Sequence, residues 1–82
     1  MDERRKAQRL RALKVGSITF NRTVIIGCGV RNMSPGGACL EVPSPLGIPD
    51  DFELIINHDK FRRFCHVVWR SATRMGVEFR AA

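Results

Sequence analysis

The sequence predicts an all-β fold: a small six-stranded antiparallel β-barrel preceded by a flexible, basic N-terminal arm. Three observations predict it. From about residue 12 onward, apolar and polar residues alternate in short runs, the period of a half-buried strand. Turn-forming residues separate these runs at short intervals. The chain has only 82 residues, enough for one domain, and a sheet this small hides its edges best by closing on itself. Residues 1–11 are read as the arm and residues 12–82 as the barrel domain.

The elements follow in order. Residues 2–14 (DERRKAQRLRALK) hold good helix formers, acids first and bases later. Ala7, Leu10 and Leu13 make only a thin apolar stripe, so the segment reads as an arm with at most two helical turns. Residues 12–20 enter the first strand, and Asn21-Arg22 is a tight turn. Residues 23–32 form the second strand. Its Val24, Ile26, Cys28 and Val30 share one face, opposite Ile25, Gly27, Gly29 and Arg31. Residues 34–37 (SPGG) predict a type II turn, with Pro35 fixing φ and Gly36 supplying a positive φ.

Residues 37–42 form the third strand, with Ala38, Leu40 and Val42 alternating against Cys39 and Glu41. Residues 43–51 (PSPLGIPDD) are a loop, because proline and glycine punctuate them. Residues 52–57 are the fourth strand, turned by His58-Asp59-Lys60. Residues 61–71 are the fifth. Alternation puts Cys65, Val67 and Trp69 on one face, and Arg62, Phe64, His66, Val68 and Arg70 on the other. Trp69 therefore reads as core, with base stacking as the lesser reading. Residues 74–80 are the sixth strand, with Met75, Val77 and Phe79 inward and Glu78 and Arg80 outward. Gly29 and Gly76 allow close approach or relieve crowding in a bent barrel.

Composition excludes several function classes. No apolar run approaches the ~20 residues of a membrane span. The basic N-terminus leads into no apolar stretch, so no secretory signal is expected there. Cys28, Cys39 and Cys65 are odd in number and widely spaced, which suits free thiols in a reducing compartment; the expected location is the cytoplasm. There is no CxxC or HxxxH spacing, so no metal site is expected. No nucleophile–base arrangement is visible, so the chain is not read as an enzyme.

The formal charge of +6 points to an anionic partner. It is unevenly placed. Residues 1–14 hold six basic groups and two acidic ones, while the other 68 residues hold eight and six. Four of the six net charges therefore lie in residues 1–14, so most of the excess belongs to the N-terminal segment.

Two motifs carry the chemistry. Arg5-x-x-x-Arg9, flanked by Arg4 and Lys6, offers guanidinium forks for phosphate oxygens or the O6/N7 edge of guanine. Asn32-x-Ser34-x-x-Gly37 offers an amide, a hydroxyl and a position where the backbone is open to a ligand. Taken singly, the first reads as a solvated charge run and the second as a turn. Their joint occurrence, about 25 residues apart and in this order, is far more specific.

With these motifs the chain resembles the PilZ domain, the bacterial receptor module for cyclic di-GMP. The resemblance includes the RxxxR arm, VRNMSPGGACLEV at residues 30–42, IPDDFELII at 48–56 and CHVVWR…MGVEF at 65–79. It implies a six-stranded barrel whose arm folds over the nucleotide. It further implies that Arg5 and Arg9 contact guanine edges and phosphates. Asn32 takes the Asp/Asn position that bonds a guanine, without the charge an Asp would bring. Ser34 and Gly37 take the motif serine and glycine. Arg4, Lys6 and Gly36 are implied as secondary contacts.

On this reading cyclic di-GMP is the ligand and no cofactor is needed. Ordering the arm costs about 1–2 kcal/mol per residue fixed, which charge-assisted bonds and stacking offset. The ordered arm then presents a new surface to a downstream protein. The chain is expected as a monomer or weak dimer. Two alternatives stand beside this: a PilZ-type protein-interaction domain without nucleotide, and a small basic barrel binding nucleic acid. The absence of Tyr and the presence of only five Phe and one Trp disfavour a stacking surface for strands, so no DNA or RNA is expected.

Overall fold

A computed structural model describes residues 14–56 and 60–80. The predicted arm, with Arg4, Arg5, Lys6 and Arg9, lies outside the described residues, as do His58 and Asp59 of the predicted turn. The described chain forms six strands: β1 (Lys14–Phe20), β2 (Val24–Ser34), β3 (Gly37–Glu41), β4 (Asp51–Ile56), β5 (Phe61–Arg70) and β6 (Arg74–Arg80). They close into an antiparallel barrel in the order β1-β2-β3-β6-β5-β4, with β4 pairing back onto β1. The predicted class and all six strands are present.

Period-two alternation explains the interior. Ile18, Val30, Leu40, Leu54, Ile56 and Met75 point inward and are at most 1% exposed. Each such aliphatic side chain contributes about 1.5–3 kcal/mol by leaving water. Phe61 and Phe79 add a tilted ring pair, 5.5 Å between centroids, packed against this core. The loop after β3 contributes Val42, Ile48 and Phe52 to the same cluster, the last at the start of β4.

Two β-bulges break the alternation and carry the consequences for function. In β2, Val30 pairs with Leu40 but Asn32 pairs with Cys39, so Arg31 is the inserted residue. In β5, Val67 pairs with Val77 but Trp69 pairs with Gly76, so Val68 is the inserted residue. An inserted residue moves every later side chain of that strand to the opposite face. Trp69 is therefore 46% exposed on the outer wall, which corrects its reading as core. Arg70, expected outward, pairs instead with the buried Met75. From there its guanidinium donates to the Pro45 carbonyl at 2.9 Å and to Asp50 Oδ1 at 2.7 Å. The Val67 N–H donates to the Asp50 carbonyl at 2.7 Å, so the loop is pinned at both levels.

The turns also differ from expectation. Gly36 does not have a left-handed φ; Gly47 is the glycine that does, at +84°. The β2–β3 link is therefore not a type II turn. The Ser34 hydroxyl accepts the Gly36 N–H at 3.3 Å and redirects the backbone without a positive φ. The first hairpin is longer by one residue than predicted. Phe20 pairs with Val24, and Asn21 and Arg22 both take left-handed φ values, +53° and +68°.

Candidate functional site

The Asn32-x-Ser34-x-x-Gly37 motif ends β2, crosses the turn and starts β3. Its residues line a shallow, open cleft of about 370 Å³ on the outer wall of β2, β3, β6 and β5. Met33, Ala38, Cys39, Val68, Trp69, Gly76 and Val77 complete the lining. The organising feature is one cross-strand row. Asn32 pairs with Cys39, Cys39 with Gly76, and Gly76 with Trp69. Paired residues project to the same face, so Asn32, Cys39 and Trp69 share the outer wall. Three strand steps of about 4.8 Å make the row roughly 14 Å long.

Each position has a local cause. The Arg31 bulge turns Asn32 outward. Arg31 itself reaches Glu41 on β3 at 3.3 Å, and Glu41 also meets Arg74 at 3.6 Å. The Asn32 side-chain amide has no hydrogen-bond partner among the described residues, which leaves its donor and acceptor available. Ser34 is exposed and committed to the turn, holding the Gly36 N–H and lying 3.5 Å from the Gly37 carbonyl oxygen.

The two motif glycines differ. A Cβ on Gly37 would overlap the Val77 carbonyl oxygen and lie 3.3 Å from Glu78 Cα, so β6 needs the missing side chain. A Cβ on Gly36 would meet nothing, so Gly36 is the position open to solvent. Gly37 is the motif glycine that lines the cleft.

Trp69 is the lining residue that alternation misplaced. Its indole covers Gly76, which is buried beneath it although it lies on the outer face. A glycine within a strand was the available signal, since it marks close approach, but it did not say of what. The cleft is electrically neutral among the described residues: asparagine, serine, cysteine, glycine and apolar side chains line it. The motif brings together Asn32, Ser34, Gly36 and Gly37; Arg4, Arg5, Lys6 and Arg9 lie outside the described residues.

Two buried thiols lie outside the cleft. Burial pushes the Cys28 thiol up to about 11, partly opposed by a backbone hydrogen bond at Gly16. Burial likewise raises Cys65 to about 12. Both thiols are protonated and inert at neutral pH. Among the described residues, no group of three or more His, Cys, Asp or Glu is placed to hold a metal ion. No helix there is long and apolar enough to cross a membrane.

A second cleft, of about 640 Å³, lies around Phe20, Arg22, Ile25 and Phe64 and contains none of the motif residues.

A family model described as PilZ domain matches residues 3–82, nearly the whole chain. No curated protein and no solved structure matches it.

Proposed function

The chain belongs to the PilZ domain family, cyclic di-GMP-binding receptor domains rather than catalysts, and on that premise we propose that it is itself a cyclic di-GMP receptor. Asn32 hydrogen-bonds a guanine edge, and Ser34 with Gly36 and Gly37 shapes the turn against which the nucleotide sits. Arg5 and Arg9 supply the charge, with Arg4 and Lys6 in support.

The observation that carries this reading is the outer row from Asn32 to Trp69. Among the described residues it combines an amide without a hydrogen-bond partner with an exposed aromatic ring at a neutral cleft. Such a cleft suits bases and, among the described residues, holds no cation for phosphates. The two negative charges of a cyclic dinucleotide need cations, and the sequence concentrates these in residues 1–14. Ligand binding would then order the arm over the cleft and pass the signal to a partner protein in the cytoplasm, without a cofactor.

Calorimetric titration with cyclic di-GMP tests this. The expected result is saturable binding that falls at least tenfold in Arg5→Ala and in Arg9→Ala, as loss of a charge-assisted bond implies. No binding at high micromolar ligand, or affinity unchanged in both variants, would overturn it.

A further inference from the structure

Trp69 and Gly76 are coupled more tightly than the pairing alone requires. A Cβ built on Gly76 would overlap three atoms of the indole five-membered ring, Nε1, Cε2 and Cδ1. The ring therefore lies over the Gly76 Cα, in the space any other residue would fill. Gly76 is buried by it, although its neighbours Met75 and Val77 are the residues that point into the core. Trp69 remains 46% exposed, as a ring does when one side rests on a strand and the other faces solvent. The Val68 insertion brings Trp69 to this register, and Gly76 lets the ring lie down once it is there.

We infer that Gly76 is a positioning residue: it seats the Trp69 indole against β6 as a stacking platform for one base of the ligand, in line with Asn32. The inference rests on the receptor reading above and adds to it a residue outside both motifs. Stacking is independent of base identity, so the platform supplies affinity while Asn32, at the other end of the row, reads the base edge. Replacing Gly76 lifts the ring without removing it, which separates positioning from the mere presence of an aromatic side chain.

Trp69 is the only tryptophan, so its fluorescence reports on the platform directly. The test is a double-mutant cycle of Trp69→Ala and Gly76→Ala on the full chain, with cyclic di-GMP as probe. In the parent protein the nucleotide is expected to quench Trp69 emission. Trp69→Ala is expected to lower affinity about 5- to 150-fold, the range for loss of one base–aromatic stack. Gly76→Ala is expected to lower affinity comparably and abolish the quenching, with circular dichroism unchanged.

Should Gly76→Ala fail to fold, the double variant answers instead. Without the indole the alanine meets no ring, so it should fold and bind no worse than Trp69→Ala alone. Parent protein that binds with Trp69 emission unchanged overturns this inference and leaves the receptor reading standing. So does Gly76→Ala that binds and quenches like the parent, or additive losses in the double variant. Absence of binding to the parent overturns the receptor reading, and this inference with it.

Discussion

Asn32 and Trp69 stand at the two ends of one outer row, and each is there because its own strand carries one inserted residue. Were Arg31 paired in a regular ladder, Asn32 would fall opposite Ala38 and turn inward. Were Val68 paired in the same way, Trp69 would fall opposite Met75, in the core. Two independent bulges thus place an amide and an indole on the same wall, separated by Cys39 and Gly76.

The two motif glycines should respond oppositely to a methyl group. Gly37→Ala forces a Cβ into the Val77 carbonyl, where the obstacle is backbone and cannot rotate away. The expected cost is about 1–3 kcal/mol. For a domain of this size that lowers Tm by roughly 4–8 °C per kcal/mol. Gly36→Ala meets open space and needs no left-handed φ, so its stability should stay within about 0.5 kcal/mol of the parent. Thermal melts of the two variants decide it; equal melting temperatures would contradict the β3–β6 contact.

Asn32 and Ser34 should separate binding from folding. The Asn32 amide holds nothing among the described residues, so Asn32→Ala should leave Tm unchanged. It should weaken cyclic di-GMP binding by the worth of one neutral hydrogen bond, about 0.5–1.5 kcal/mol or roughly 2- to 12-fold. Ser34→Ala removes the acceptor of the Gly36 N–H and should lower Tm as well as affinity. Paired calorimetric and melting measurements on both variants test this, and a Tm loss confined to Asn32→Ala would reverse the assignment.

Arg22 sits at φ +68°, where a side chain costs about 1–2 kcal/mol relative to glycine. Arg22→Gly should therefore raise Tm, by a few degrees after the entropy of the unfolded glycine is subtracted. A melt at neutral pH is sufficient, and a lower Tm would mean that the Arg22 side chain makes a stabilising contact.

The buried thiols set an alkaline limit on stability. Cys28 and Cys65 titrate near 11 and 12 in the barrel, against 9.0 for an ordinary thiol. Above pH 9 the unfolded chain releases these protons first, so unfolding becomes progressively easier. The stabilisation is complete below pH 9 and is lost as pH rises toward 11–12, at up to about 1.4 kcal/mol per pH unit per thiol. Urea melts between pH 8 and 11 should show this slope, and Cys28→Ala should reduce it. A thiol-specific reagent at neutral pH should label the half-buried Cys39 well before the other two.

Much of the fold was legible in the local pattern. Ile18, Leu40, Leu54 and Met75 sit inside because apolar residues recur at every second position, and that period needs no knowledge of a partner strand. The Asn32–Gly37 half of the candidate site was legible too, since a six-residue motif around one turn keeps its members together whatever surrounds it. The Ser34 turn was legible as a turn but not in its backbone angles. Those depend on a side-chain hydroxyl replacing the positive φ that Gly36 was expected to supply.

The sequence by itself determined six strands, the closed antiparallel barrel, the inward set of side chains and the concentration of most of the excess charge in residues 1–14. Only the tertiary structure decided which face Asn32, Trp69 and Arg70 occupy. A bulge is set by the register between two strands distant in sequence, Arg31 against β3 and Val68 against β6, and the alternation within one strand carries no record of that register.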